Sequence, residues 1–132
     1  MGVVLDTHAV IWYLSASKEL SSTALQAIRH TISTGRPILI SVISFIETIY
    51  LFEKGRLPVE ALRRLEAALD DPASGLVVAP VDAAVANALY KIPRTAVPDM
   101  PDRIIAATAL HLNGQLVSRD LRLQSAGIKT IW

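Results

Sequence analysis

The chain has 132 residues, a formal net charge of +1 and no cysteine. That length suits one ordinary domain, residues 1–132, and excludes two; disulfides and thiolate metal sites are excluded as well. Apolar residues make up 52% of the chain and mean hydropathy is +0.40, yet no apolar run approaches the roughly 18 residues that span a bilayer.

Short apolar runs alternate with helical segments. Gly2 to Leu5 reads as a buried strand ending at Asp6, with a short helix from Thr7 to Leu14 behind it. Ser21 or Ser22 is a suitable N-cap for a second helix carrying Leu25, Ile28 and Ile32 on one face and ended by Gly35. Pro37 to Ser41 is a strand, and Val42 to Lys54 a helix stopped by Gly55. Pro58 opens a helix striped by Leu62, Leu65 and Leu69. Leu76 to Ala79 is the third strand and Asp82 to Lys91 a helix. A proline-rich stretch, Pro93 to Pro101, leads to a helix from about Asp102 to Asn113, closed by Gly114. Gln115 to Ser118 is a fourth strand and Ile128 to Trp132 a weaker fifth. Strands that alternate with helices imply right-handed crossovers and a mainly parallel sheet covered on both faces, an α/β/α sandwich. In such sheets the ligand site lies outside the carboxyl ends of the strands.

Four acids fall at that edge. Asp6 follows the first strand, Glu47 lies in the first turns after the second, Asp102 opens a late helix, and Asp120 follows the fourth strand by one residue. Glu19, Glu53, Glu60, Glu66, Asp70 and Asp71 have no such placement. Each of the four has an ordinary structural reading. Asp6 is a good N-cap, Ser44 to Glu47 fits a capping box, Asp102 suits a helix's positive end, and Asp120 is a plausible turn acid. Pro101 belongs in a helix's first turn, which makes Asp99 the cap and leaves Asp102 free. These readings do not explain why all four gather. Two unit charges 4 Å apart repel by about 4 kcal/mol at an effective dielectric near 20, and a divalent cation offsets that. Oxygen-only donors suit Mg²⁺ or Mn²⁺, which can activate water for a phosphodiester displacement.

In order and spacing these residues resemble the PIN-domain family. Val4-Leu5-Asp6-Thr7-His8 is similar to that family's opening, and Ser41 to Glu47 to its second acidic motif. Pro101 to Ala109 is similar to its third motif and Leu116 to Asp120 to its fourth. The resemblance covers essentially the whole chain. It implies a compact sandwich with a parallel sheet, cleavage of single-stranded or structured RNA dependent on Mg²⁺ or Mn²⁺, and homodimerisation. At this length it is closest in kind to VapC-type toxins of type II toxin–antitoxin pairs, each neutralised by a VapB-type antitoxin. The metal and catalytic acids carry over to Asp6, Glu47, Asp102 and Asp120, and Ser118 to a hydroxyl that supports the site.

The other residues carry less. His8 could orient substrate, whereas the resemblance implies a structural or helix-packing role; His30 and His111 are isolated, with no zinc spacing among the three. Arg103 and Arg119 adjoin two acids, where they would bind RNA phosphates or offset carboxylate charge. Arg122 reads as plain surface charge. Trp12, Tyr13 and Tyr50 are candidates for base stacking or for core and interface. The helix from Val42 is apolar nearly all round, which points to a dimer or antitoxin interface. The start of the chain lacks the charged region of a signal peptide, so the expected location is cytoplasmic, without membrane contact. Two alternatives stay open: a PIN nuclease with a house-keeping role in RNA or DNA processing, and a catalytically silent interaction module.

Overall fold

The computed structural model describes residues 2–132. Its five strands are β1 (Val3–Leu5), β2 (Ile38–Ser41), β3 (Leu76–Ala79), β4 (Gln115–Val117) and β5 (Thr130–Ile131). They form one parallel sheet in the order β3-β2-β1-β4-β5. The helices are α1 (Thr7–Leu14), α2 (Ser22–Ser33), α3 (Val42–Glu53), α4 (Val59–Asp70), α5 (Ala83–Ala88), α6 (Met100–His111) and α7 (Leu121–Ser125). None among the described residues is long and apolar enough to cross a membrane.

The pleat divides the core in two. Val3 and Leu5 point to one face, where they meet Ile38, Ile40 and Val117, and α1, α2 and α4 cover them through Val10, Ile28 and Leu65. Val4 points to the other face, beside Leu116, and meets Val85, Ile105 and Leu123 from α5, α6 and α7. Successive strand residues face opposite ways, so continuous apolar runs are what a sheet buried on both sides requires. The chain winds outward from β1 to β3, then resumes at β4 on the other flank of β1. The order therefore reverses between β1 and β4, and the crevice at their carboxyl ends is where this class of sheet places its ligand.

Most boundaries lie where the residue pattern puts them. Gly35 and Gly55 stop α2 and α3 at φ 74° and 72°. After α3 the Gly55 N–H donates to the Phe52 carbonyl and the Arg56 N–H to that of Leu51, a Schellman closure that relies on glycine's left-handed freedom. The end of α6 corrects the expectation for Gly114. Asn113 takes the left-handed turn, at φ 53°. Gly114 instead provides room, since a Cβ there would sit 3.0 Å from the Gly2 carbonyl oxygen. The segment after Asp82 is a shorter helix followed by a 3-10 turn, Leu89–Lys91. Five-residue α7 has no counterpart in the sequence reading, because one helical turn holds too few residues to show a period.

Helix α3 reverses the usual pattern. Its buried positions are Ser44 and Thr48, whereas Ile46, Tyr50 and Phe52 are exposed, Tyr50 by 58%. The buried Thr48 hydroxyl donates to the Ser44 carbonyl at 2.8 Å. Small hydroxyl residues let α3 lie close against α1, α4 and α6.

Leu5 is fully buried directly before Asp6. Leu5→Ala is expected to cost about 2–5 kcal/mol in urea unfolding. Val77→Ala, at an exposed edge position, should stay within about 0.5 kcal/mol. Equal midpoints for the two variants would contradict this core.

Candidate active site

At the carboxyl edge between β1 and β4 lies an open cleft of about 860 Å³. All four acids expected there line it, namely Asp6, Glu47, Asp102 and Asp120, and so does a fifth, Asp99.

Asp6 is both a cap and a cleft residue. One carboxylate oxygen accepts from the Ala9 N–H at 2.9 Å, capping α1. The Ser118 hydroxyl donates to the same side chain, as expected for a supporting residue, although burial outweighs these bonds and raises the Asp6 pKa. Glu47 lies inside α3, which is capped by Ser41, so Ser44 and Glu47 form no capping box. The Thr7 hydroxyl donates to Glu47 Oε1 at 2.5 Å. Burial raises the Glu47 pKa, and the charges of Asp99 and Asp6 add to the rise.

Asp102 occupies the first turn of α6, and Asp99 caps that helix by accepting its backbone N–H at 3.1 Å. About a third of the Asp102 side chain is exposed. Burial, reinforced by the charges of Asp99, Glu47 and Asp120, pushes its pKa up to about 7. Asp120 behaves differently. It caps α7 and pairs with Arg122 at 2.8 Å, which holds its carboxyl below the usual range.

Arg122 is no bystander on the surface. Its guanidinium bridges Asp120 and, at 3.5 Å, Asp102. The sequence reading missed this role because α7, the turn that aims Arg122 back across its own cap, was not foreseen. Asp99 as a cleft acid was legible in principle, since the cap of a helix and the residue three further on share one end of it. Arg103 does not reach the cleft. It donates to the carbonyls of Ile92 and Leu89 at 3.0 and 2.9 Å, tying the loop before α6 to that helix. Arg119 does line the cleft, paired at 3.4 Å with Glu19.

Among the described residues, no three His, Asp or Glu side chains converge on one point as an all-protein metal cage would require. Mg²⁺ asks for less, being commonly held by one or two carboxylates and several waters. The donor set is anionic and oxygen-only; burial first, and neighbouring carboxylates second, raise the proton affinities of Asp6, Glu47 and Asp102, a cost to the charged forms that a bound cation would offset. The residues therefore fit a hard divalent ion.

The family model for the PIN domain matches residues 3–129. Ribonuclease VapC22 of Mycobacterium tuberculosis (strain ATCC 25618 / H37Rv) is 34% identical over 125 residues, 93% of this chain and 90% of that protein. Among solved structures, VapBC2 from Rickettsia felis, bound to a DNA fragment from their promoter, superposes with a TM-score of 0.74 at 18% identity, covering 98% of this chain and 97% of that one. VapBC-1 from nontypeable Haemophilus influenzae gives 0.70 at 18% identity, over 98% and 96%. Identities this low speak for the fold alone.

The raised Asp102 pKa gives a signed expectation. The folded chain holds this proton more tightly than the unfolded chain does. Its stabilising contribution is complete below about pH 4 and fades as pH rises through about 7. In EDTA, Asp102→Asn should therefore melt higher than wild type at pH 8, with the gap shrinking towards pH 4.5. A gap that is constant across the titration would show that folding does not raise the Asp102 pKa.

Proposed function

The chain belongs to the PIN-domain family, and from that premise we propose that it is a divalent-metal-dependent endoribonuclease, the toxin half of a VapBC-type toxin–antitoxin pair. The observation that carries this reading is the gathering of Asp6, Glu47, Asp99, Asp102 and Asp120 around one cleft at the point where the strand order reverses. A relative over most of the chain's length bears the name ribonuclease.

Asp6 and Asp102 are the principal metal ligands in this reading, with Glu47 and Asp120 completing the acidic set. A bound Mg²⁺ or Mn²⁺ supplies water activation and charge stabilisation at the scissile phosphate. The protein's part is orientation and proton handling. Ser118 fixes the Asp6 carboxylate and Thr7 that of Glu47. A carboxylate whose proton affinity is raised accepts protons better near neutral pH, which suits Glu47, outside the principal ligand pair, to assist proton transfer. Arg122 stands as the internal counter-charge to Asp102 and Asp120.

The exposed apolar residues of α3, Ile46 and Tyr50 above all, suit burial against a second copy of the chain and an antitoxin helix laid in an apolar groove. The Rickettsia felis and Haemophilus influenzae structures that share the fold bear VapBC names.

Purified protein should cut single-stranded RNA with Mg²⁺ or Mn²⁺ and stop in EDTA. Asp6→Ala, Glu47→Ala and Asp102→Ala should each lose at least ~100-fold in rate, and Asp120→Ala less, while Asp70→Ala serves as an unaffected control. Millimolar metal should raise the wild-type melting temperature, and Asp6→Asn should blunt the rise. Folded Asp6→Ala and Asp102→Ala proteins cutting at the wild-type rate would rule out the mechanism.

Induced expression without an antitoxin should arrest growth, with Asp6→Ala relieving the arrest. Tyr50→Asp should weaken dimerisation in light scattering and leave the metal response intact. A monomer at tens of micromolar, together with harmless expression of active protein, would favour a house-keeping nuclease.

A further inference from the structure

The cleft has a second wall, made of rings. Helix α1 begins at its cap Asp6 and presents His8 and Trp12 one turn apart, so both share the helix face that leads away from the acids. Their ring centroids are 5.4 Å apart with planes inclined at 43°. Trp132 meets Trp12 edge-on at 5.9 Å and braces its plane. The Arg119 guanidinium lies over the Trp12 ring, 4.6 Å from its centroid. Arg119 itself sits between Ser118 and Asp120, so the stack and the acids belong to one continuous surface.

We propose that Trp12 and Arg119, flanked by His8, form a stacking subsite for one unpaired nucleobase of the RNA, next to the acidic centre. This assignment rests on the nuclease reading and names the part of the substrate that the cleft holds.

The chemistry follows from the geometry. A guanidinium supported from below by an indole is a flat, cationic platform, and more than half of the Arg119 side chain is exposed. Nucleobases stack on arginine planes and aromatic rings, and any base can do so because each has a π face. The other claim on Arg119 is its 3.4 Å pair with Glu19, in which both side chains are more than half exposed. Such a pair contributes little and costs little to break. A base paired within an A-form duplex has its faces covered by its neighbours and cannot lie on the platform. The subsite therefore selects single-stranded over duplex RNA, with weak preference among the bases. It also relieves an electrostatic difficulty, because a polyanion must approach a cleft with five acids and Arg119 offers it a cation at the rim.

The test uses Asp102→Asn protein, which should hold RNA without cutting it, and reads tryptophan emission; Trp12 and Trp132 are the chain's two tryptophans. A short single-stranded RNA should quench the emission, and its blunt duplex should bind at least ~10-fold more weakly. Trp12→Leu should weaken single-strand binding by about 5- to 100-fold, measured by anisotropy of a labelled RNA. Trp12→Phe, which keeps a ring, should restore it to within about 3-fold. Arg119→Ala alters an exposed side chain and leaves the core alone, so it tests the platform even if Trp12→Leu unfolds. It should weaken single-strand binding and abolish the preference over duplex. In the otherwise wild-type enzyme both changes should raise KM and leave kcat nearly unchanged. Wild-type affinity and KM in folded Trp12→Leu or in Arg119→Ala would overturn the subsite while leaving the nuclease in place. RNA quenching with no cleavage by wild type in any metal would instead keep the subsite and sink the nuclease.

Discussion

The constraint on which the site depends is the burial of several carboxylates beside one another. Five acids line one cleft, and burial together with their shared charge drives the Asp102 pKa to about 7. What lets them coexist is visible in their backbones. Asp6 caps α1, Asp99 caps α6 and Asp120 caps α7. Each accepts a main-chain N–H that would otherwise lack a partner, and each sits at the positive end of its helix. Capping and site formation are therefore one arrangement: three helix N-termini pointed at one crevice hold the acids there. Arg122 adds a full positive charge at the side where Asp102 and Asp120 meet.

Helix α3 shows what bringing Glu47 to the same place requires. The helix approaches its neighbours through Ser44 and Thr48, and Ile46, Tyr50 and Phe52 face outward. Thr7, directly after Asp6, turns its hydroxyl to Glu47 and lies 3.1 Å from the Ser44 hydroxyl. A buried polar seam thus joins the first acid's helix to the second acid's helix, and its hydroxyls are hydrogen-bonded, as buried polar groups must be. The outward apolar face is the counterpart of that choice, and it is what makes a partner surface reasonable for an otherwise self-sufficient fold.

The aromatic wall and the acidic wall share their supports. α1 carries Asp6 at its start and Trp12 one and a half turns later, and the segment after β4 carries Ser118, Arg119 and Asp120 in succession. Alternation along that segment sends Ser118 to Asp6, Arg119 over Trp12 and Asp120 to the cap of α7. A shift of one residue there would exchange a buried hydroxyl for a guanidinium, so the two walls hold their register together.

Much of this was readable from residue order. The apolar runs, helix stops such as Gly55, and the acids placed just after strands all express local rules. Those rules implied a parallel sheet with four acids at its carboxyl edge, and the sheet has that form with the acids in place. Asp99 as the cap of α6 followed from the position of Pro101 alone. Contacts between residues distant in the chain were not readable. The pairing of Arg122 with Asp102, the Thr7 hydroxyl on Glu47 and Arg119 over Trp12 join residues 20, 40 and 107 positions apart. Nor did the sequence show that Arg103 would turn to two loop carbonyls while Arg122 entered the cleft. Local pattern decides which face of an element is apolar and where it ends. Which cation meets which acid depends on the angles at which those elements pack, and only the assembled sheet and its helices set them.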